Sequence, residues 1–192
     1  MRNLHLIFVL ATGLLPFATT QAAPADLPKT GQTLCYDAAG TVVTCAGTGQ
    51  DGELMTGTAW PNPRFVIGPT VDCITDTLTG LVWVRAPVFT SYTWYEALTY
   101  ANNLNLCGYT DWRLPNIIEL KSVVNSATST PAAFLTAQGF SVYANPYWSS
   151  TNQAGFPTTG AWYLNLGDGN ATTASKDSGS GVGLAWPVRG GQ

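Results

Sequence analysis

Residues 93–124 read TWYEALTYANNLNLCGYTDWRLPNIIELKSVV, and two helix starts inside this stretch set the fold class. Thr93-Trp94-Tyr95-Glu96 is a capping-box pattern, in which a threonine hydroxyl and a glutamate three residues on satisfy each other's backbone donors. Trp94, Ala97, Leu98, Ala101 and Leu104 then recur at helical spacing, so a helix is predicted from about Trp94 to Asn103. Past Leu114-Pro115, Asn116 is placed to cap a second helix with Glu119 three residues on. Ile117, Leu120 and Val124 form its apolar stripe, and it should end by Ser126. On both sides the period changes. Phe65-Val66-Ile67, Val71 to Thr75 and Leu81-Val82-Trp83-Val84 read as short strands. So do Tyr147 to Thr151, Ala161 to Leu166 and Gly183 to Arg189. Gly167-Asp168-Gly169-Asn170 marks a turn between strands. Strands, two helices, then strands again predict an α+β domain with an antiparallel sheet.

Upstream of Arg64 the text differs. Pro24 to Pro63 is rich in turn formers and poor in periodicity, so residues 23–63 are read as an N-terminal extension and residues 64–192 as the compact domain. Farther upstream, Arg2 precedes an apolar run from Leu4 to Phe17, followed by small and polar residues. This is the layout of a secretory signal peptide over residues 1–22, with cleavage expected after Ala22. The run is too short for a transmembrane helix, which needs about 20 apolar residues. No stable membrane span is expected after cleavage, and the protein is expected in the periplasm, at the cell surface or secreted.

Four cysteines, Cys35, Cys45, Cys73 and Cys107, follow the predicted leader. An even number in an exported chain reads as two disulfides, for which three connectivities exist. Nearest-neighbour pairing is favoured. Cys35 and Cys45 flank a hairpin-like stretch with a turn signal at Asp37 to Gly40, and Cys73 with Cys107 would join an early strand to the segment after the first helix. A structural zinc site would want a C-x-x-C pair or an accompanying histidine, and the chain has neither.

Composition narrows the chemistry. The chain carries 8 Lys and Arg against 11 Asp and Glu, with no basic run, which disfavours nucleic acid as a partner. Its one histidine, His5, lies in the predicted leader, so a Ser-His-Asp triad, a Cys-His pair and a His-ligated metal are excluded from the remainder. Carboxylate chemistry survives that exclusion, with Asp111, Glu119, Asp168 and Asp177 as nominal candidates for a glycosidase pair. Each has a plainer reading. Glu96 and Glu119 sit where capping carboxylates belong, Asp111 lies in a short loop where backbone donors are at hand, and Asp168 occupies a turn. For calcium, Asn145-Pro146 and Asp168-Gly169-Asn170 offer only scattered oxygens. No cofactor and no metal ligands are assigned.

Six blocks in order carry a resemblance. They are Thr79-Gly80-Leu81-Val82-Trp83, Trp94-Tyr95-Glu96-Ala97-Leu98, Gly108-Tyr109-Thr110-Asp111-Trp112-Arg113-Leu114-Pro115, Glu119-Leu120, Tyr147-Trp148-Ser149-Ser150-Thr151 and Pro187-Val188-Arg189-Gly190-Gly191. Over roughly residues 72–191 the chain resembles the Lcl C-terminal domain family. The hairpin followed by Gly49-Gln50-Asp51-Gly52 looks like the segment that often precedes that domain. The resemblance implies a C-type-lectin-like α+β fold and no shared enzymatic activity. The family's namesake domain ends a collagen-like adhesin that binds sulphated glycans, and relatives include variable receptors. This chain has no collagen-like tract, so the oligomeric state does not carry over, and its acidic balance disfavours a polyanionic ligand.

The expected function is thus an exported, non-enzymatic recognition or adhesion domain for a glycan or protein at the cell envelope. The alternatives are an envelope structural or assembly protein and a carboxylate-dependent hydrolase. Strand alternation places Trp162, Leu164 and Leu166 on one side of their strand, with Leu164 and Leu166 buried, and turns Tyr163 and Asn165 outward. Together with Asp168, Asn170 and Lys176 they form the expected ligand patch, beside a polar stretch from Asn170 to Ser180. Trp83, Trp94, Trp112 and Trp148 are expected in the core, with Arg113 paired to a carboxylate or carbonyls and Arg189 structural.

Overall fold

The computed structural model describes residues 27–177 and 182–190. The predicted leader and its cleavage site lie outside them, as do Ser178 to Ser180 of the polar stretch. No helix of the described residues is long and apolar enough to cross a membrane.

The extension opens on a two-stranded hairpin, β1 (Cys35–Tyr36) and β2 (Val42–Val43), closed by the Cys35–Cys45 disulfide. The Asp37 carboxylate accepts the amides of Ala39 and Thr41 and shapes the turn. A four-residue helix, α1 (Asp51–Leu54), follows. Gly52 explains the Gly-Gln-Asp-Gly string, because a Cβ there would lie 2.3 Å from the Leu34 carbonyl oxygen. The extension is not a free tail. Ser126 donates its amide to Thr30, and Trp60 packs its ring 5.9 Å from that of Phe134.

Two sheets build the body. The first contains β3 (Phe65–Ile67), β4 (Cys73–Asp76), β5 (Val82–Val84) and β11 (Val188–Arg189) in the order β11-β5-β4-β3, all antiparallel. The second contains β6 (Ser91–Tyr92), β7 (Pro146–Asn152), β8 (Gly160–Asn165), β9 (Ala171–Ser175) and β10 (Gly183–Leu184) in the order β6-β10-β7-β8-β9. Its pairings are antiparallel except β10 with β7, which is parallel. The α+β class holds, with four differences among the strands, the first being β6, which is absent from the expected set. The single strand expected over 183–189 is two strands, one in each sheet, because Trp186 turns into the core, donating to the Val84 carbonyl at 2.7 Å, and Pro187 has no amide to continue a ladder. The polar stretch after Asn170 begins as strand β9, since its ladder to β8 satisfies a backbone whose side chains carry no strand signal. The strand expected from Val71 starts instead at Cys73.

Among the described residues four helices replace the expected two. Helix α2 (Trp94–Asn102) and helix α3 (Ile117–Ser122) start with the capping boxes read from Thr93/Glu96 and Asn116/Glu119. The other two are α1 and α4 (Pro131–Ala137), which starts with proline in its first turn, where the missing amide costs nothing. The main core lies between the sheets and α3 and α4 and holds Trp83, Trp112, Leu120, Leu135, Phe140, Tyr147, Leu164 and Trp186. A second cluster joins Trp94, Ala97 and Ala101 of α2 to Trp148, Ala161 and Ala185. The Cys73–Cys107 disulfide ties β4 to the segment after α2, completing nearest-neighbour pairing.

Candidate functional site

The expected ligand patch does not assemble. Leu164 and Leu166 are fully buried as the alternation requires, but the opposite face of β8 is not open to solvent. Tyr163 is half-buried, edge-on to Trp148 at 6.0 Å, in the cluster that α2 covers. Asn165 is half-buried too, and its side-chain oxygen accepts the Gly167 amide within the turn. Asp168 and Asn170 are exposed in the turn, where the Asp168 carboxylate accepts the Asn170 amide and is thereby held below the usual carboxylate pKa. Lys176 requires an outright correction, being only 3% exposed. Its ammonium donates to Asn152 Oδ1 at 2.6 Å and to the Pro157 carbonyl at 2.7 Å, and sits 4.1 Å from the centroid of the Trp94 ring. Neutral acceptors and a π-face thus satisfy it, and it ties the loop between β7 and β8 to the start of α2.

Two of the nominal catalytic carboxylates, Glu119 and Asp111, are engaged by arginines. Glu119 takes a two-pronged bond from Arg113 at 2.7 and 2.8 Å and closes its own capping box through the Asn116 amide. Burial is the largest influence on its pKa and pushes it up, yet the Arg113 bonds, the Asn116 amide and the Arg113 charge together hold it below its ordinary value. For Asp111 the chief partner is a side chain, with its own backbone amide a lesser one. Arg189 grips it through Nε at 2.7 Å and Nη2 at 3.0 Å, the bond that chiefly lowers its pKa, and the same guanidinium lies over the Tyr109 ring at 3.5 Å. Asp177 is exposed at the end of the strand region. Among the described residues no three His, Cys, Asp or Glu side chains gather as a metal cluster.

The recurrent blocks do architectural work. Arg113 exchanges backbone hydrogen bonds with Val188 and donates from Nη2 to the Gly190 carbonyl, so the third and sixth blocks lock together. The Trp94 indole donates to Ser149 and the Trp148 indole to Tyr92, joining the second block to the fifth. Sequence reading missed one further pair, Arg64 and Asp76. These side chains are 2% and 0% exposed and meet through two bonds of 2.7 and 2.8 Å. Its signal was available only as an arginine and an aspartate at the start and end of two adjacent strands.

Two exposed aromatic rings stand apart from this scaffold. Phe89, in the connection from β5 to β6, and Tyr143, in the connection from α4 to β7, are 63% and 42% exposed, and their centroids lie 4.4 Å apart at 47°. Arg85, at the start of the first connection, ties it to the second and to the segment between β3 and β4. It donates from Nε to the Gly139 carbonyl at 2.8 Å and from Nη1 to the Val71 carbonyl at 3.1 Å, while Ser141 donates its amide to the Arg85 carbonyl. The buried Tyr147 hydroxyl accepts the Tyr143 amide at 2.9 Å. Single exposed apolar residues are ordinary, but two rings in tilted contact, in connections that hydrogen bonds tie together, form a preorganised platform, with exposed Val88 beside Phe89 in the chain and exposed Val71 offering its carbonyl to Arg85. The sequence signal was slight, a Pro-Val-Phe run in a turn-rich connection and a lone tyrosine some fifty residues on. Hollows of about 520 Å³ beside Leu27, Asp51 and Thr58 and of about 270 Å³ beside Leu81, Ile118 and Ser122 offer no comparable pairing of groups.

The family model described as the Lcl C-terminal domain matches residues 72–189, more than half of the chain. No curated protein matches the sequence.

Proposed function

The chain belongs to the Lcl C-terminal domain family, and from that membership we propose an exported, non-enzymatic recognition domain of C-type-lectin-like fold that binds a glycan or a protein at the cell envelope. The single observation that carries the recognition reading is the braced Phe89–Tyr143 platform. Aromatic area forgone by the core is costly, since burying a phenylalanine is worth about 1.5–3 kcal/mol, and here two rings keep much of theirs in water. Two disulfides suit an oxidising compartment, and the mixed architecture of helices and antiparallel strands is compatible with the lectin-like fold. The engagement of Asp111 and Glu119 by arginines supports a non-catalytic reading, because a general acid needs a raised pKa and these two are lowered.

A binding screen of the full chain against arrayed glycans and envelope proteins, with saccharide release followed in the same samples, tests the proposal. Binding that Phe89→Ala and Tyr143→Ala both weaken is the expected result. Release of sugar from any arrayed glycan, or an array on which nothing binds, would refute it.

A further inference from the structure

We infer that the Phe89–Tyr143 platform takes the apolar face of a neutral sugar, so that the ligand class is an uncharged glycan rather than a polyanionic one. The inference rests on the recognition reading above and adds the chemistry of the ligand. Three observations carry it, concerning charge, area and rim.

No lysine or arginine occurs in residues 86–92 or 138–147. Arg85, in the same connection as Phe89, spends donors on the Gly139 and Val71 carbonyls and serves as a strut. The nearby acidic residue Asp72, whose carbonyl accepts the Arg85 amide, is exposed. With Arg85 and Asp72 of opposite sign and no further lysine or arginine in residues 86–92 or 138–147, a sulphated or phosphorylated chain would meet a face of little net charge and gain little from each further anionic group.

Area separates a sugar from a protein. An aromatic side chain offers about 150–250 Å², so rings 63% and 42% exposed present roughly 200 Å² between them. A stable protein interface buries about 800 Å² on each partner, and adding Val71 and Val88 does not close that gap. One or two pyranose rings match it. The C–H face of a pyranose is apolar and carries slight positive charge, which complements the negative face of an aromatic ring. Within two residues of one or other ring in the chain, exposed Thr90, Ser91 and Ser141 carry hydroxyls of the kind that bond sugar hydroxyls without bringing charge.

The experiment uses the full chain on three arms: neutral oligosaccharides of glucose, N-acetylglucosamine, mannose and galactose, heparin as the polyanion, and an envelope-protein array. At least one neutral oligosaccharide should bind, and its affinity should persist near 1 M salt, where the screening length falls to roughly 3 Å. Phe89→Ala and Tyr143→Ala should each weaken that binding about tenfold or more, the loss of one ring's stacking, at unchanged melting temperature. Phe89→Tyr should retain it. Preference for heparin that collapses in salt, or neutral-sugar binding indifferent to both alanine variants, overturns the inference. Capture of a protein that depends on Phe89, with no sugar bound, overturns the glycan class and leaves the recognition reading standing. Silence on all three arms removes both.

Discussion

Removing the Asp76 carboxylate should be among the most damaging single changes in the body. In Asp76→Ala four hydrogen bonds disappear together: those from Arg64 Nε and Nη2, from the Leu78 amide and from the Thr79 hydroxyl. What remains is a guanidinium almost wholly shielded from water, whose Nη1 already has no partner among the described residues and whose only remaining acceptor is the Ser122 carbonyl. Breaking a buried pair from one side costs about 3–5 kcal/mol, because the surviving charge is stranded. Against a typical total of roughly 5–15 kcal/mol this is a large fraction, and for a chain of this size it lowers the melting temperature by roughly 6–20 °C. Arg64 also lies 4.4 and 4.7 Å from the Trp60 and Phe65 ring centroids, so Arg64→Ala would mix lost packing with lost charge. The informative partner is Arg64→Met, and the double variant Arg64→Met/Asp76→Leu should recover part of the loss, since it removes the stranded charge and leaves only the neutral Leu78 amide, Thr79 hydroxyl and Ser122 carbonyl without these partners. Urea unfolding of the parent, Arg64→Met, Asp76→Leu and the double variant under non-reducing conditions completes the cycle, with Asp76→Ala measured beside them. If Asp76→Ala unfolds within about 1 kcal/mol of the parent, or the double variant is less stable than either single one, the stranded-charge reasoning is wrong.

Lys176→Met should cost about 1–3 kcal/mol in urea unfolding, because it strips donors from the Asn152 amide oxygen and the Pro157 carbonyl while keeping the volume; a surface role would leave stability unchanged. The carboxyl groups of Glu119, Asp111 and Glu96 titrate below their ordinary range in the folded protein. The unfolded chain therefore binds more protons in acid, and the stability these groups contribute is complete above about pH 5 and drains away as pH falls through their folded values. Glu119→Gln should flatten the acid limb of a stability–pH curve. Burial raises Tyr147 to about 12, so its contribution is full below about pH 10 and lost as pH climbs toward the folded value; Tyr147→Phe should remove that alkaline slope. Replacing Cys73 and Cys107 together by alanine should lower stability by about 2–4 kcal/mol, more than opening the Cys35–Cys45 loop, whose separation is 10 residues against 34.

Local chemistry was legible wherever it acts within a few residues. Thr93/Glu96 and Asn116/Glu119 announced α2 and α3 because both halves of a capping box lie within one helical turn. The Asp37 turn, the alternation that buries Leu164 and Leu166, and the family blocks were equally readable. The cysteine pairing followed from compartment and proximity along the chain. What escaped depended on residues far apart in sequence. Strand β9 has side chains that any loop could carry, and only its ladder to β8 makes it a strand. Lys176 reads as a surface cation until Trp94, Asn152 and Pro157 close over it from two other segments. Tyr163 reads as outward-facing until α2 covers its side of the sheet, since alternation assigns faces and tertiary packing decides which of them meets water. Phe89 and Tyr143 lie in separate connections, and nothing in either one names the other. Arg85 ties the two connections together, because its guanidinium donates to the Gly139 carbonyl and its own carbonyl accepts the Ser141 amide, contacts between segments more than fifty residues apart.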